Sequence, residues 1–300
     1  MIARAVFVDA RHKAGHDALS VSGERGLPSS VDRKPAFLNI WRIMFARRII
    51  RLGVVFAALV ALACAASADE AAMPKGFVYL RDVDPTIQQD MRYAGPDNFT
   101  GRPVPGYEAG ECILVRPAAE ALKAAQAELA AKGLSLKVYD CYRPTRAVAA
   151  FVAWAKEPDD LRIKRVHYPD LQKTALFPAY IATRSGHSRG ATVDVTLVPA
   201  GSTPMGNAPP ETAACTDAAP RDNSLDMGVS FDCFDPKANS DTPGLTPEQR
   251  RNRKLLLDVM ARHGFRNYPK EIWHYSFKPE PYPGTYFDFP VRPRQTAGTP

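Results

Sequence analysis

The chain has 300 residues, of which 45% are hydrophobic and 24% charged, a composition typical of a folded globular protein rather than a disordered or fibrous one. Its formal net charge of +7 invites a nucleic-acid-binding interpretation, but the charge is unevenly distributed. Residues 1–68 hold ten of the 39 basic residues and four of the 32 acidic ones, so residues 69–300 carry a net charge of only +1. No basic patch with interleaved aromatic residues remains there, and we expect no nucleic-acid partner.

Residues 47–70 have the order of a secretory signal peptide. Three arginines precede an apolar run at 52–64, and Ala66-Ser67-Ala68 follows it, as in an A-x-A-like cleavage site. The run is shorter than the roughly 20 residues that span a bilayer. We therefore predict that residues 1–68 are an N-terminal extension and signal peptide with Met44 as the start, that residues 69–300 form the mature domain, and that the mature chain is periplasmic or secreted without a stable membrane span. An uncleaved N-terminal anchor is the alternative.

Helix and strand signals alternate in the first half of the mature chain. A helix is predicted at 117–132, with Pro117 at its start and Gly133 just past its end. Residues 134–139 alternate apolar and polar side chains, which predicts a half-buried strand. A second helix with an apolar stripe is predicted at 144–156.

The second half contains a further strand, a long irregular segment and a capped helix. Residues 191–198 alternate again, and Asp194 lies on the face opposite the valines. Residues 199–245 are rich in Pro, Gly, Asn and Asp, which predicts a long irregular segment outside the core elements, called the excursion below. Thr246 and Gln249 predict a capping box for a third helix that ends before Gly264. A last strand is expected at 273–277, so the fold class is α+β with one domain.

Four cysteines remain if the signal peptide is removed: Cys112, Cys141, Cys215 and Cys233. An even number in an exported chain favours disulfides. Cys215 and Cys233 lie in one loop-rich segment and can close a local loop, which makes Cys112–Cys141 the complementary pair. Three connectivities are possible, and buried free thiols are the alternative.

The strongest local motif is Ser185-Gly-His187-Ser-Arg-Gly-Ala-Thr-Val-Asp194. A carboxylate within an apolar strand is unfavourable unless a partner or a metal compensates it. Taken alone, Asp194 fits a core carboxylate bonded to the backbone or to an arginine. A second motif, Glu271-Ile-Trp-His274, supplies another histidine with an acid close by. Two imidazoles and one carboxylate make a three-ligand zinc set with an open fourth position, and spacing alone leaves the zinc and core interpretations open.

The second motif also contains a candidate base. Glu271 and His274 are three residues apart and cannot share one face of a regular strand. We therefore expect Glu271 in the turn that enters the strand, beside the metal and not bound to it, where it would take a proton from the attacking water.

A third motif, Tyr139-Asp-Cys-Tyr-Arg143-Pro144, places an arginine where a strand ends and a helix begins. Functional groups often lie at such ends of a rigid scaffold. The guanidinium can stabilise an oxyanion, an interaction worth roughly 3–4 kcal/mol. Pairing of Arg143 with a surface carboxylate is the alternative.

Together these three motifs resemble those of the zinc D-alanyl-D-alanine dipeptidases, which share the hedgehog/D,D-peptidase zinc fold. The resemblance extends from about residue 83 to residue 291 and includes Asn98-Phe-Thr-Gly and the closing Pro281-Tyr-Pro-Gly-Thr-Tyr-Phe-Asp-Phe-Pro. It implies a central, mostly antiparallel sheet flanked by helices. Asn98-Phe-Thr100 has the sequence of an N-glycosylation site, but the resemblance implies that it is a structural turn.

Carried over residue by residue, the resemblance implies one Zn²⁺ per chain, held by His187, Asp194 and His274. It implies Glu271 as general acid and base and Arg143 as the group that polarises the scissile carbonyl. Asp232 matches a family aspartate near the substrate ammonium, and Ser185 is expected to line the pocket. At position 186 the resemblance implies a serine, and the glycine of this chain departs from it.

The implied reaction is hydrolysis of D-Ala-D-Ala, or a related small peptide, to two D-alanines by a zinc-activated water. A peptidoglycan D,D-carboxypeptidase or endopeptidase is the first alternative, and a non-catalytic wall-binding module is the second. Resistance-type dipeptidases of this family act in the cytoplasm. The predicted export therefore indicates turnover or scavenging of wall-derived dipeptide.

Overall fold

A five-stranded sheet forms the centre of the computed structural model, which describes residues 72–203, 214–217 and 222–295. The predicted signal peptide and Met44 lie outside the described residues. The strands are β1 (Phe77–Tyr79), β2 (Gln88–Gln89), β3 (Ile113–Val115), β4 (Leu134–Asp140), β5 (Thr192–Pro199), β6 (Phe265–Tyr268) and β7 (Glu271–Phe277). The central sheet has the order β2-β4-β5-β7-β6, and β1 pairs with β3 in a separate antiparallel pair. Only the β2–β4 pair of the central sheet is parallel, so the predicted mostly antiparallel α+β fold is confirmed.

Five α-helices accompany the sheet within the described residues: α1 (Leu80–Val83), α2 (Arg116–Ala130), α3 (Thr145–Trp154), α4 (Leu161–His167) and α5 (Pro247–Arg262). The three helices predicted from the sequence correspond to α2, α3 and α5. The capping box of α5 is present, because the Thr246 hydroxyl accepts from the Gln249 amide at 3.2 Å and the Gln249 side chain accepts from the Thr246 amide at 2.9 Å. None of the described helices is long and apolar enough to cross a membrane.

The two longest helices pack on the apolar side of the sheet. Val193 and Val195 of β5 belong to one buried core with Leu256 and Val259 of α5, and α2 packs against both β4 and α5. The residues that alternate with these valines, Asp194 among them, lie on the opposite face of β5. That second face is available for a functional site.

The half-buried pattern predicted for β4 is wrong, since nearly every residue of this strand is buried. Its polar face is covered by the segment around residues 222–231. Lys137 Nζ lies 2.8 Å from a carboxylate oxygen of Asp222, the Tyr139 hydroxyl donates to Asp222 at 2.7 Å, and the Tyr139 ring stacks on Phe231 at 4.5 Å. The predicted excursion therefore folds back onto the sheet.

Both disulfides have the predicted connectivity. Cys112 pairs with Cys141 and Cys215 pairs with Cys233, and all four residues are fully buried. The first links β3 to the end of β4, and the second closes part of the excursion. The Asn98 turn is also confirmed, because the buried Asn98 amide donates to the carbonyls of Gly95 and Arg102 at 2.7 and 3.0 Å.

Candidate active site

Three adjacent strands place Asp140, Asp194 and His274 side by side. In the strand register Asp140 lies opposite Asp194, and Asp194 lies opposite His274. Directly opposed residues of antiparallel strands have neighbouring side chains on the same face. The order β4-β5-β7 therefore aligns two carboxylates and an imidazole across the polar face of the sheet.

His187 reaches this row from a short 3-10 helix, Gly186–Arg189. The Ser185 hydroxyl caps the helix by accepting from the His187 amide at 3.3 Å. Gly190 ends it in the left-handed region with φ +75°, and a Cβ there would lie 2.2 Å from the Phe77 ring, so this position requires glycine. The Nδ1 atom of His187 donates to the Cys141 carbonyl at 2.7 Å, which leaves the lone pair of Nε2 directed at Asp194 and His274.

The facing atoms of these three residues have the spacing of a metal site. His187 Nε2 lies 3.3 Å from His274 Nδ1 and 3.4 Å from Asp194 Oδ1, and His274 Nδ1 lies 3.1 Å from the same oxygen. Zinc with bonds of about 2.0–2.1 Å has tetrahedral edges of about 3.3 Å. Asp194 Oδ1 is buried without a hydrogen-bond donor among the described residues. His187, Asp194 and His274 can therefore hold a metal ion.

The carboxyl group of Glu271 lies beside this cluster. Its Oε2 is 3.3 Å from His274 Nδ1. Glu271 opens β7 rather than lying in the preceding turn, so that expectation is corrected. It shares a face with His274 because the β6–β7 register shifts at Asn267 and Tyr268, and the Asn267 amide donates to the carbonyls of both Glu271 and His274. Burial and the neighbouring Asp194 raise the pKa of Glu271 to about 8.

Arg143 is held at the edge of the cluster by Asp140. Its Nε donates to Asp140 Oδ2 at 2.8 Å, and its Nη2 lies 3.7 Å from Asp194. The Tyr107 hydroxyl donates to the second Asp140 oxygen at 2.6 Å. Arg143 thus pairs with a buried carboxylate, and the surface pairing considered above is excluded. Burial would raise the pKa of Asp194, but His187 and His274 outweigh it and hold that pKa below its usual range.

Asp232 enters the same region from the excursion. It is the one non-glycine residue of the described chain with positive φ, at +56°. Its conformation is held by its neighbours, because Cys233 is in a disulfide and the Asp232 carbonyl lies 3.1 Å from Nδ1 of His167. The buried Tyr93 hydroxyl lies 2.9 and 3.2 Å from the two Asp232 carboxylate oxygens. Burial, together with Asp194, raises the pKa of Asp232 well above its usual range.

A cavity of about 260 Å³ connects these groups. Its lining includes Arg143, Ser185, Asp194, Asp232, Glu271 and His274, with Tyr93, Tyr180, Phe234 and Trp273 as aromatic walls. All the residues singled out in the sequence motifs therefore surround one space, with His187 buried behind it. Concave sites with a few convergent polar groups are typical of small-ligand binding.

Four contributors to this site were not identified from the sequence. Asp140 lies within the Arg143 motif. Its place at a strand end, three residues before an arginine, could have indicated that it pairs with Arg143. Tyr93, Tyr107 and Asn267 gave no such signal, because they act through contacts that are distant in sequence or through a strand irregularity.

Two histidines and a carboxylate that can hold a metal ion, with a glutamate and an arginine beside them, are the donor set expected of a metallopeptidase. A family model described as D-ala-D-ala dipeptidase matches residues 73–208 and 212–292. The chain belongs to this family of metallopeptidases, and the expectation from the motifs is confirmed.

Relatives described as D-alanyl-D-alanine dipeptidase occur in several bacteria. The protein of Streptomyces coelicolor is 39% identical over 220 residues, which cover 73% of this chain and 100% of the relative. That of Enterococcus faecalis is 36% identical over 220 residues with the same coverage. That of Enterococcus faecium is 35% identical over 221 residues, again 73% of this chain and all of the relative.

Proposed function

We propose that this chain hydrolyses D-alanyl-D-alanine to two D-alanines with the help of one zinc ion. The observation that carries the proposal is the cluster of His187, Asp194 and His274 at one side of a cavity that also contains the buried carboxylate of Asp232. The dipeptidase names of the relatives support the same substrate.

The charges of the site favour a metal together with an ammonium group. Asp140, Asp194, Asp232 and Glu271 are buried acids, and Arg143 is the one guanidinium of the described residues that pairs with them. Buried charges need compensation. A divalent cation and the ammonium of a dipeptide would lower the raised pKa values of Glu271 and Asp232 and balance the three carboxylates that Arg143 does not.

The proposed roles follow from these positions. His187, Asp194 and His274 would hold the zinc, which supplies a Lewis acid and a water nucleophile at neutral pH. Glu271 accepts the proton of the attacking water and returns it to the leaving amine. Arg143 polarises the scissile carbonyl, and Asp232 binds the substrate ammonium. Ser185 holds the turn that presents His187.

The substrate assignment is tested by incubating the purified protein with D-Ala-D-Ala and with a muramyl pentapeptide in parallel and measuring the release of D-alanine. Faster turnover of the dipeptide is expected. Preference for the pentapeptide would make the protein a D,D-carboxypeptidase instead. Zinc-loaded protein that binds such peptides but cleaves neither would be a wall-binding module.

The metal assignment is tested by removing zinc with a chelator. We expect loss of turnover, a lower midpoint of thermal unfolding, and recovery of both on adding one equivalent of Zn²⁺. Full activity with less than about half an equivalent of bound zinc would reject the site.

Export of the mature chain is part of the proposal. Two buried disulfides support an oxidising compartment. Residues 69–300 would then work in the periplasm or outside the cell, on dipeptide released from the wall. N-terminal sequencing should find chains that begin at Asp69, and expression of the native gene should leave cytoplasmic D-Ala-D-Ala unchanged. Chains that begin well before Asp69 would contradict export by signal cleavage. A fall in cytoplasmic D-Ala-D-Ala would contradict a role in the turnover of wall-derived dipeptide.

A further inference from the structure

Two arginines line the active-site cavity, and only one of them has a carboxylate partner among the described residues. Arg143 is paired with Asp140 at 2.8 Å. Arg184 is exposed at the cavity wall, and no described aspartate or glutamate lies within ion-pair distance of it. Within the described residues its positive charge is therefore uncompensated, at the edge of a site whose other charged residues are mainly acids.

The guanidinium of Arg184 rests on an aromatic platform. Its central carbon lies 5.5 Å from the centroid of the Tyr286 ring. Arg189 lies over the same ring and its Nη1 donates to the Tyr286 hydroxyl at 3.3 Å, but Arg189 is neutralised by Glu280, whose Oε1 is 3.0 Å from Nη2. Stacking restricts the Arg184 side chain without using its hydrogen-bond donors.

Arg184 also lies at the border between two cavities. A second cavity of about 340 Å³ shares Arg184 and Ser185 with the active-site cavity. Arg184 precedes His187 by three residues, so the chain separates their α-carbons by at most about 11 Å. A dipeptide spans roughly 7 Å. Arg184 is therefore close in the chain to the candidate metal ligand His187 and forms part of the wall of the cavity beside it.

Resting on the proposed dipeptidase function, we propose that Arg184 binds the C-terminal carboxylate of the substrate and makes the enzyme specific for a free C terminus. A dipeptide presents an ammonium, a scissile carbonyl and a carboxylate. Asp232 and Arg143 serve the first two, and Arg184 is the remaining arginine of the cavity lining. Arginine pairs with carboxylates through two parallel hydrogen bonds. A peptide that continued into the second cavity would place a neutral amide at Arg184.

The test compares D-Ala-D-Ala with its C-terminal amide on wild type, Arg184→Met and Arg184→Lys. Methionine keeps much of the side-chain length without the charge, and lysine keeps the charge. Arg251→Met, an exposed arginine of α5 outside the cavity lining, is the matched control. Thermal unfolding of each variant checks that the fold is intact.

We expect Arg184→Met to raise KM for the acid about 10- to 100-fold, as for loss of a charged hydrogen bond, with kcat within about twofold. Activity on the amide should not change, Arg184→Lys should recover part of the loss, and Arg251→Met should behave as wild type. An unchanged acid-to-amide ratio in an active Arg184→Met enzyme would overturn the role of Arg184 alone. Absence of turnover of the acid by wild type would overturn the proposed function and this inference together.

Discussion

The Nδ1 atom of His187 lies 2.7 Å from the carbonyl oxygen of Cys141, so one half of a disulfide orients a candidate metal ligand. Backbone carbonyls that accept from a ligating histidine fix its tautomer and ring orientation. The Cys112–Cys141 bond ties this carbonyl to β3. The disulfide therefore supports the site as well as the fold.

The Cys112→Ala/Cys141→Ala variant tests this relationship. Loss of a cross-link between residues 29 positions apart should lower the free energy of unfolding by about 2–4 kcal/mol. Because the Cys141 carbonyl is no longer tethered, zinc affinity should fall by about 10-fold or more. The affinity is measured by competition with a chelator under conditions where the variant is folded.

Cys215→Ala/Cys233→Ala is the matched control. Cys233 follows Asp232, so its removal should raise KM for the dipeptide while zinc affinity stays near that of wild type. Equal zinc affinities in both double variants would show that the first disulfide has no role in the metal site.

Asp140 should position Arg143 rather than act on the substrate. Asp140→Asn keeps the side-chain shape but removes the charge that holds the guanidinium, and we expect kcat to fall by about 10- to 100-fold with a smaller change in KM. Tyr107→Phe removes one hydrogen bond to the same carboxylate and should cost about threefold or less. Steady-state kinetics with bound zinc measured in each sample distinguish this from metal loss. Wild-type kcat in Asp140→Asn would contradict the positioning role.

Glu271 should be needed for turnover and not for metal binding. Its carboxyl group lies 3.3 Å from His274 Nδ1, but it is not one of the three clustered ligand residues. We expect Glu271→Ala and Glu271→Gln to bind zinc normally while kcat falls by about 10²- to 10⁴-fold, as for loss of a general base. The readouts are kcat and the zinc content per chain. An active Glu271→Ala enzyme would remove this residue from the mechanism.

Local signals in the sequence predicted the long elements well. The capping box of α5 depends on two residues three positions apart, and Pro117 and Gly133 mark the two ends of α2. Both helices could therefore be recognised without knowledge of tertiary contacts. The short strands β1, β2, β3 and β6 and the helices α1 and α4 were not predicted, because two to seven residues show little periodicity.

The site was predictable as separate motifs but not as an arrangement. Asp140, Asp194 and His274 meet only because β4, β5 and β7 are neighbours, and this strand order leaves no trace in local periodicity. The pairing of Tyr93 with Asp232 joins residues 139 positions apart. The turn predicted for Glu271 followed from regular strand geometry, which the register shift beside Asn267 does not obey.

Gly186, where the family resemblance implies a serine, lies close to the side chain of Thr192. A Cβ at Gly186 would lie 2.9 Å from Thr192 Oγ1 and 3.3 Å from Arg189 Nη2. Thr192 cannot yield easily, because its hydroxyl is hydrogen-bonded to Ser276 Oγ at 2.8 Å. The φ angle of Gly186 is outside the left-handed region, so the restriction is steric contact and not backbone conformation.

Gly186→Ser should therefore destabilise the protein by about 1–3 kcal/mol, as for overpacking of a buried contact. Thr192→Ala removes the hydroxyl that the new Cβ would meet. In the double variant the loss should be smaller than the sum of the two single losses by about 0.5 kcal/mol or more, which is the size of coupling expected for residues in contact. Urea unfolding of zinc-saturated wild type, both single variants and the double variant measures this coupling. Additive losses of unfolding free energy would mean that Gly186 and Thr192 do not interact. Contact with Thr192 would then not explain why a serine destabilises the protein at position 186.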